Sequence, residues 1–233
     1  DEIFRVGQKA NATVKFHGGT EKVDYYTSIG YLKDEGYYQS SDYSRITLRS
    51  NLNFTPKKWL KGNLNIAYSY SDMNSPNQEG DGAMNNGFYY VNAIPAIYPV
   101  FLRNENGETY IDPRTGLLTY DYGDVLGRPF GFGINPAGAL HLDKQKQVQH
   151  TVNAQGGLEV KLYKGLKLSV DAGLHYFNNL YSDLTNKYYG DAATIGRLLQ
   201  QSMNSLSFTA KEMLSYTTTV SDHMIDAAIV HEN

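Results

Sequence analysis

The 233-residue chain contains no cysteine. That excludes disulfides, thiolate-built zinc and iron–sulfur sites, and a cysteine nucleophile. No stretch approaches the roughly 18 consecutive apolar residues of a membrane helix. Excess charge is also missing. The 21 Lys and Arg against 24 Asp and Glu leave a net charge of −3, without the basic footprint of a nucleic-acid binder. The six histidines are scattered with no ligand spacing. Neither a P-loop nor a Gly-x-Ser-x-Gly elbow occurs. Nothing here points to catalysis or to nucleic acid.

What the chain does have is alternation. Between 42 and 54 the even positions carry Ile46, Leu48, Leu52 and Phe54, and the odd ones Arg45, Thr47, Arg49, Asn51 and Asn53. The next segment sets Leu60, Leu64, Ile66, Tyr68 and Tyr70 against Lys61, Asn63, Asn65, Ser69 and Ser71. Side chains of a strand alternate between faces, so each segment has one apolar and one wet side. A tilted strand crosses a bilayer in about 9 to 11 residues. The mean hydropathy of −0.48 fits, because half of each such strand faces water. The 20 tyrosines suit a membrane interface, and equally contacts with carbohydrate or peptide.

The pattern predicts eight strands, at about 11–17, 22–32, 42–54, 59–72, 145–162, 166–183, 201–218 and 223–232. Short turns are expected at Gly18-Gly19, Thr55-Pro56-Lys57-Lys58, Tyr163-Lys164-Gly165 and Ser221-Asp222. The other connections are longer, and the two lengths strictly alternate. Short turns at one end and long loops at the other are the habit of outer-membrane β-barrels. The fold class expected is therefore all-β, an antiparallel transmembrane β-barrel. Glu212 breaks the pattern among Leu206, Phe208, Leu214 and Tyr216, which suggests a bulge or a shifted register.

The longest connection, about 73–143, holds six of the seven prolines. A loop of that length is commonly functional. Asn106-Gly107, between Phe101-Leu102 and Tyr110-Ile111, predicts a hairpin within it. The loop is dense in rings, and Tyr89, Tyr90, Tyr98, Tyr110, Tyr120 and Tyr122 are the candidate contacts to a substrate or a covering partner. The plainer role for the same rings is packing the loop on itself. Asp121 and Asp124, with the run from Asn104 to Glu108, offer oxygens to a loop calcium, but the EF-hand pattern is absent and solvated turns explain them as well. No cofactor is otherwise expected. On the strands, Arg45, Arg49, Lys61, Glu159, Lys161 and Asp171 fall on the polar side and would line a lumen. A hydrated wall is the plainer reading of these.

Two stretches carry a resemblance. The first is Tyr25-Tyr26-Thr27-Ser28-Ile29-Gly30-Tyr31-Leu32-Lys33-Asp34-Glu35-Gly36, and the second is Asp42-Tyr43-Ser44-Arg45-Ile46-Thr47-Leu48-Arg49-Ser50-Asn51-Leu52. With Lys58-Trp59-Leu60 and Asn135-Pro136-Ala137, they resemble SusC/RagA-type TonB-dependent outer-membrane transporters. The resemblance implies a 22-stranded barrel with an N-terminal plug, set in outer-membrane lipid. It implies uptake of oligosaccharide or peptide, energised by the TonB complex through the plug, under a SusD-like surface lipoprotein. On that reading residues 1–233 are part of one barrel domain, with the plug and the C-terminal strands outside them, and the start at Asp1 marks a truncated chain. Two other classes stay open on the residues alone. One is a soluble β-sandwich that binds carbohydrate or acts as an adhesin. The other is a small outer-membrane barrel enzyme.

Overall fold

The computed structural model describes residues 2–76, 86–125 and 127–233. Part of the long connection, at 77–85, lies outside them. Eight antiparallel strands form one sheet in chain order: β1 Gln8–Thr20, β2 Val23–Glu35, β3 Asp42–Lys57, β4 Leu60–Ser75, β5 Lys144–Tyr163, β6 Leu166–Thr185, β7 Arg197–Val220 and β8 His223–Glu232. The sheet is open, with β1 and β8 at its edges. Two short helices, α1 Gly87–Ala93 and α2 Pro136–Leu142, and a 3-10 turn at Gly190–Ala192 lie in the long connections. None of these three was expected from periodicity.

Two of the four short turns are displaced from where the sequence places them. Gly18 and Gly19 belong to β1 and pair with Tyr25 and Asp24, and the chain reverses at Glu21 and Lys22 instead. The reason is packing, since the Tyr25 ring lies over Gly18, where a Cβ would sit 2.8 Å from its hydroxyl. Thr55 and Pro56 likewise stay within β3, and the reversal falls at Lys58 and Trp59. Register shifts beside two of the short turns, at Phe54/Lys57 and Lys161/Tyr163, absorb the extra residues. Six of the eight strands run past their expected ends on the loop side, β3 and β8 being the exceptions, and β7 reaches 24 residues.

Register turns the alternation of single strands into continuous rows. Val14, Ile29, Leu48, Tyr68, Val152, Tyr176 and Leu206 stand side by side across seven strands. Thr13, Gly30, Thr47, Ser69, Thr151, Phe177 and Ser205 form the neighbouring row on the other face. The apolar face is not covered by a second layer, and Ile29 (47%), Leu48 (40%) and Ile66 (41%) stay exposed.

The apolar face has a defined height. It is nearly unbroken at 23–31 in β2, 46–54 in β3, 60–70 in β4, 152–160 in β5, 166–176 in β6 and 206–216 in β7. Each stretch is about 9 to 11 residues, the length a tilted strand needs to cross a bilayer. Eleven residues advance about 33 Å along a strand, and a tilt of about 40° makes that about 25 Å of height. The lower margin coincides with the short turns. At the loop end β5, β6 and β7 continue well past the upper margin with mixed residues on both faces.

Polar side chains set into the apolar face are paired across strands. Thr27 Oγ1 meets Ser50 Oγ at 3.3 Å, and the Tyr68 hydroxyl meets His150 Nδ1 at 2.9 Å. Asn178 Nδ2 donates to Asn204 Oδ1 at 2.5 Å. Glu212 belongs to this set. The ladder runs through Val170–Glu212 and on to His231 with no bulge, and His231 Nδ1 lies 2.9 Å from the Glu212 carboxylate. The irregular residue is thus in register and is matched by its neighbour on β8. Pairing lowers the cost of a polar group that has lost water.

Candidate functional site

The loop end carries the only hydrophobic cluster of buried residues found among the described residues, and it is built from rings. Tyr120, Tyr122, Ala137 and Tyr189 form its centre, with Ile3, Phe101, Leu117, Leu142 and Tyr188 packed around them. The strands have no such core because their apolar face is open.

A small meander frames the cluster. Phe101 bridges Tyr120, Arg103 bridges Thr109, and Ile111 bridges Leu118. The turn at Asn106-Gly107 forms as its sequence suggests, with Gly107 at φ +81° and the Asn104 side chain accepting from the amides of Asn106 and Glu108. Its outer partner is different. Phe101 pairs with Tyr120 rather than with Tyr110-Ile111, because 118–121 inserts between them: the Leu102 amide donates to the Thr119 carbonyl, and the Thr119 amide donates to that of Tyr110.

Helix α2 is docked by its cap. Asn135 Oδ1 accepts from the Gly138 amide at 3.2 Å, and Pro136 follows in the first turn, where its missing N–H costs nothing. Asn135 Nδ2 donates to the carbonyls of Val100 and Asp121, each at 2.9 Å. One buried amide therefore starts the helix and fixes it to the meander. Gly138 leaves room for the Tyr122 hydroxyl and the Tyr120 ring. At the other corner, Tyr38 and Phe88 stack at 5.1 Å with Phe4 against both, which docks α1 onto the β2–β3 loop.

Two cations organise the assembly, Arg128 from its interior and Arg114 from its surface. Arg128, 7% exposed, donates to the Tyr90 hydroxyl and to the carbonyls of Asp121 and Ile134, and lies 5.3 Å from the Tyr98 ring. Arg114 grips Asp112 with Nε and Nη2 at 3.0 and 2.9 Å. It also donates to the Tyr189 hydroxyl at 2.8 Å, and that hydroxyl donates to Asp112. The Tyr189 ring stacks on Tyr122 at 4.6 Å and 3°. The Arg114 hydrogen bonds hold the Asp112 carboxyl down to about 2, against the opposing effect of its burial. Burial, then the hydrogen bond to Asp112, pushes the Tyr189 phenol up to about 12. Burial also raises Tyr122, Tyr120 and Tyr90, so all four rings are neutral hydroxyls at ordinary pH.

The six candidate tyrosines thus separate. Tyr120 (5% exposed) and Tyr122 (4%) are interior packing, and Tyr90 and Tyr98 are half-buried around Arg128. Tyr89 and Tyr110 remain exposed. The candidate wall residues Arg45, Arg49, Lys61, Glu159, Lys161 and Asp171 share the polar face, with Lys61 opposite Glu159 in register and Asp171 opposite Gly157. Asp121 turns its carboxylate onto the Gly123 amide at 2.7 Å. Among the described residues, no three His, Asp or Glu are grouped to hold a metal. Residues missed by sequence reasoning are Arg114, Arg128, Asn135 as a cap, Asp112 and Tyr189. Only Asn135-Pro136 carried a local signal, an N-cap followed by proline.

Long dyad-patterned strands, connections sorted by length and an apolar band of bilayer height define the class, a segment of a transmembrane β-barrel wall. No family model matches the chain. It is 25% identical over 178 residues to the TonB-dependent receptor P39 of Formosa agariphila, covering 76% of this chain and 15% of that one. It is 25% identical over 209 residues to the TonB-dependent receptor SusC of Bacteroides thetaiotaomicron, covering 82% of this chain and 20% of that one. In fold it matches the RagAB peptide importer in its closed-closed state, with a TM-score of 0.72 at 22% identity over 99% of this chain and 24% of that one. The chain therefore spans a quarter or less of the length of each of these. The likeness, in sequence and in fold, is to SusC/RagA-type TonB-dependent transporters, and it runs over most of this chain.

Proposed function

We propose that the chain forms part of the wall and external loops of a TonB-dependent outer-membrane transporter, one that imports oligosaccharide or peptide beneath a SusD-like surface lipoprotein. The observation that carries the reading is the apolar band. Six successive strands each present an apolar face over a stretch of about 9 to 11 residues, which begins at the short turns and ends below the long loops. The exposure of that face argues against a sandwich, whose inner faces cover one another. Named relatives that are receptors and an importer support transport over catalysis.

In this reading the polar rows line the lumen. The loop assembly is a preformed rim, held from inside by Arg128 and Asn135 and at its surface by Arg114, and it offers Tyr89 and Tyr110 to ligand or lid. Movement of the plug, driven through TonB, would open the path. No cofactor takes part.

The test is extraction of the native protein that carries this sequence, followed by detergent phase partitioning and intact mass. The expected result is recovery in the detergent phase, at a mass several times 26.1 kDa, with a second tightly bound polypeptide. Recovery in the aqueous phase would overturn the barrel reading. Recovery in detergent at about 26.1 kDa would overturn the plugged transporter and leave a small barrel.

A further inference from the structure

Above the apolar band, at the loop-side ends of β4 and β5, lies a notch of about 390 Å³, bordered by Asn74 and Lys146 in line with the apolar rows and by Ser75 and Gln145 of the opposite face. Its floor is Asn74 and Lys146, register partners on β4 and β5. Asp42 and Lys144 flank it, and α2 roofs it with Ala139 and His141. The height follows from the register. Asn74 lies four residues beyond Tyr70, the top of the band on β4, which is about 13 Å of strand and about 10 Å of height at a tilt near 40°. That is the level of a bilayer's headgroups, and of the first sugars of a glycolipid. Below the notch, past the Asp72–Lys146 ion pair, the apolar column runs down β4 through Tyr70, Tyr68 and Ile66.

The notch is not simply cationic, and its balance of charge narrows the ligand. Three basic side chains, Arg5, Lys144 and Lys146, stand in or beside it with as many carboxylates, Asp42, Asp72 and Asp143, and two of the three cations are ion-paired. Arg5 holds Asp42 at 2.5 Å, and Lys146 holds Asp72 at 2.9 Å. Asp143 accepts from the backbone and side-chain amides of Asn186 at 2.8 and 2.7 Å. No carboxylate among the described residues pairs with Lys144. A bare phosphate would meet repulsion from the carboxylates. A sugar bearing a phosphate uses both kinds of group, because hydroxyls donate to carboxylate and amide oxygens while ammonium groups take the phosphate.

We propose that this notch binds the phosphorylated saccharide headgroup of an outer-leaflet glycolipid, with the acyl chains lying along the apolar column beneath. Lys144 takes the phosphate, His141 and Asn74 meet the sugar, and α2 closes the top. The proposal rests on the outer-membrane reading above and adds to it a specific lipid contact beside the rim.

The full-length protein that carries this chain would be purified in detergent and titrated with diphosphoryl lipid A, read by native mass spectrometry. Dephosphorylated lipid A and glucose 1-phosphate serve as comparison ligands. The expected result is retention of the phosphorylated lipid, weakened about tenfold by Lys144→Glu and by Ala139→Phe, which fills the notch. Lys58→Ala, at the opposite end of the strands, should leave it unchanged. Equal binding of the dephosphorylated lipid, or no effect of either notch variant, overturns the proposal. Competition by glucose 1-phosphate as strong as by the lipid makes the notch a soluble-sugar site and overturns it too. Partitioning into the detergent phase without lipid retention sinks this proposal alone, whereas partitioning into the aqueous phase sinks the barrel reading first.

Discussion

The Tyr189 hydroxyl donates a hydrogen bond to the Asp112 carboxylate across 77 residues of sequence. The two groups sit in different connections, Asp112 in the long loop between β4 and β5 and Tyr189 between β6 and β7. Arg114 bonds to both, and Tyr122 stacks on the ring. The contact fastens the two loops to each other, together with the Tyr122–Tyr189 stack and the Asn186–Asp143 bonds.

Tyr189→Phe keeps the stack and deletes the hydroxyl, leaving one buried carboxylate oxygen short of a donor. A loss of about 1 to 3 kcal/mol is expected, confined to the loops. Hydrogen exchange should speed up at 109–119 and 186–196 and stay unchanged in β5 and β6. Equal acceleration throughout the strands would show that the contact supports the whole fold rather than the joint.

Acid should act on the same joint. The Asp112 carboxyl is lowered from an ordinary 3.8 to about 2, first by Arg114 and then by Tyr189. A depressed carboxylate stabilises the folded form above its unfolded value, and that contribution fades as pH falls through the folded value. Loop protection should therefore be complete above about pH 4 and decline between about pH 4 and pH 2. Asp112→Asn should abolish this pH dependence while weakening the loops at every pH. Unaltered acid sensitivity in Asp112→Asn would place its origin elsewhere.

Gly138 has a steric role. A Cβ there would run into the Tyr122 hydroxyl and stand 3.0 Å from the Tyr120 Cγ, and both belong to buried rings. Gly138→Ala should improve the intrinsic helix tendency of α2 and still destabilise the assembly, by about 1 to 3 kcal/mol from overpacking. Gly138→Ala combined with Tyr122→Phe should recover part of the loss, measured as the cooperative melting of near-ultraviolet circular dichroism. No recovery would mean that the hydroxyl is not the obstacle.

How far the fold could be read from residues follows from where its order originates. Strand periodicity is local, so rows such as Leu60, Leu64, Ile66 and Tyr68 were legible, and the turn at Ser221-Asp222 with them. Gly18-Gly19 misled because glycine also serves where a ring needs space, and Tyr25 supplies that ring seven residues away. Glu212 suggests a bulge or a shifted register only because its partner His231 is on another strand, and a single-strand pattern contains no partners. The loop was least legible. Its tyrosines were visible as a group, but whether a given ring packs inward or faces out depends on Arg114, Arg128 and Asn135, whose contacts span long sequence distances. Tyr120 and Tyr122 therefore could not be told apart from Tyr89 and Tyr110 by composition.

Neighbouring residues on β4 test the assignment of the two faces most directly. Ile66 lies mid-band on the apolar face, in a row with Ala154 and Leu174. Asn65 lies on the polar face, in a row with Asn51 and Gln155. Lysine at 66 would have to place its ammonium in hydrocarbon or bend it toward an interface, at a cost of about 2 to 4 kcal/mol near the midplane. Lysine at 65 would extend into water beside amides and cost little. In the full-length protein, Ile66→Lys should lower the yield of folded, heat-modifiable barrel in the membrane and its midpoint in denaturant, while Asn65→Lys matches the parent. The two substitutions add the same charge one residue apart, so charge alone cannot explain a difference. A reversed order of sensitivity would put the amides in lipid and the apolar rows inside, and equal sensitivity would mean that neither face meets a bilayer.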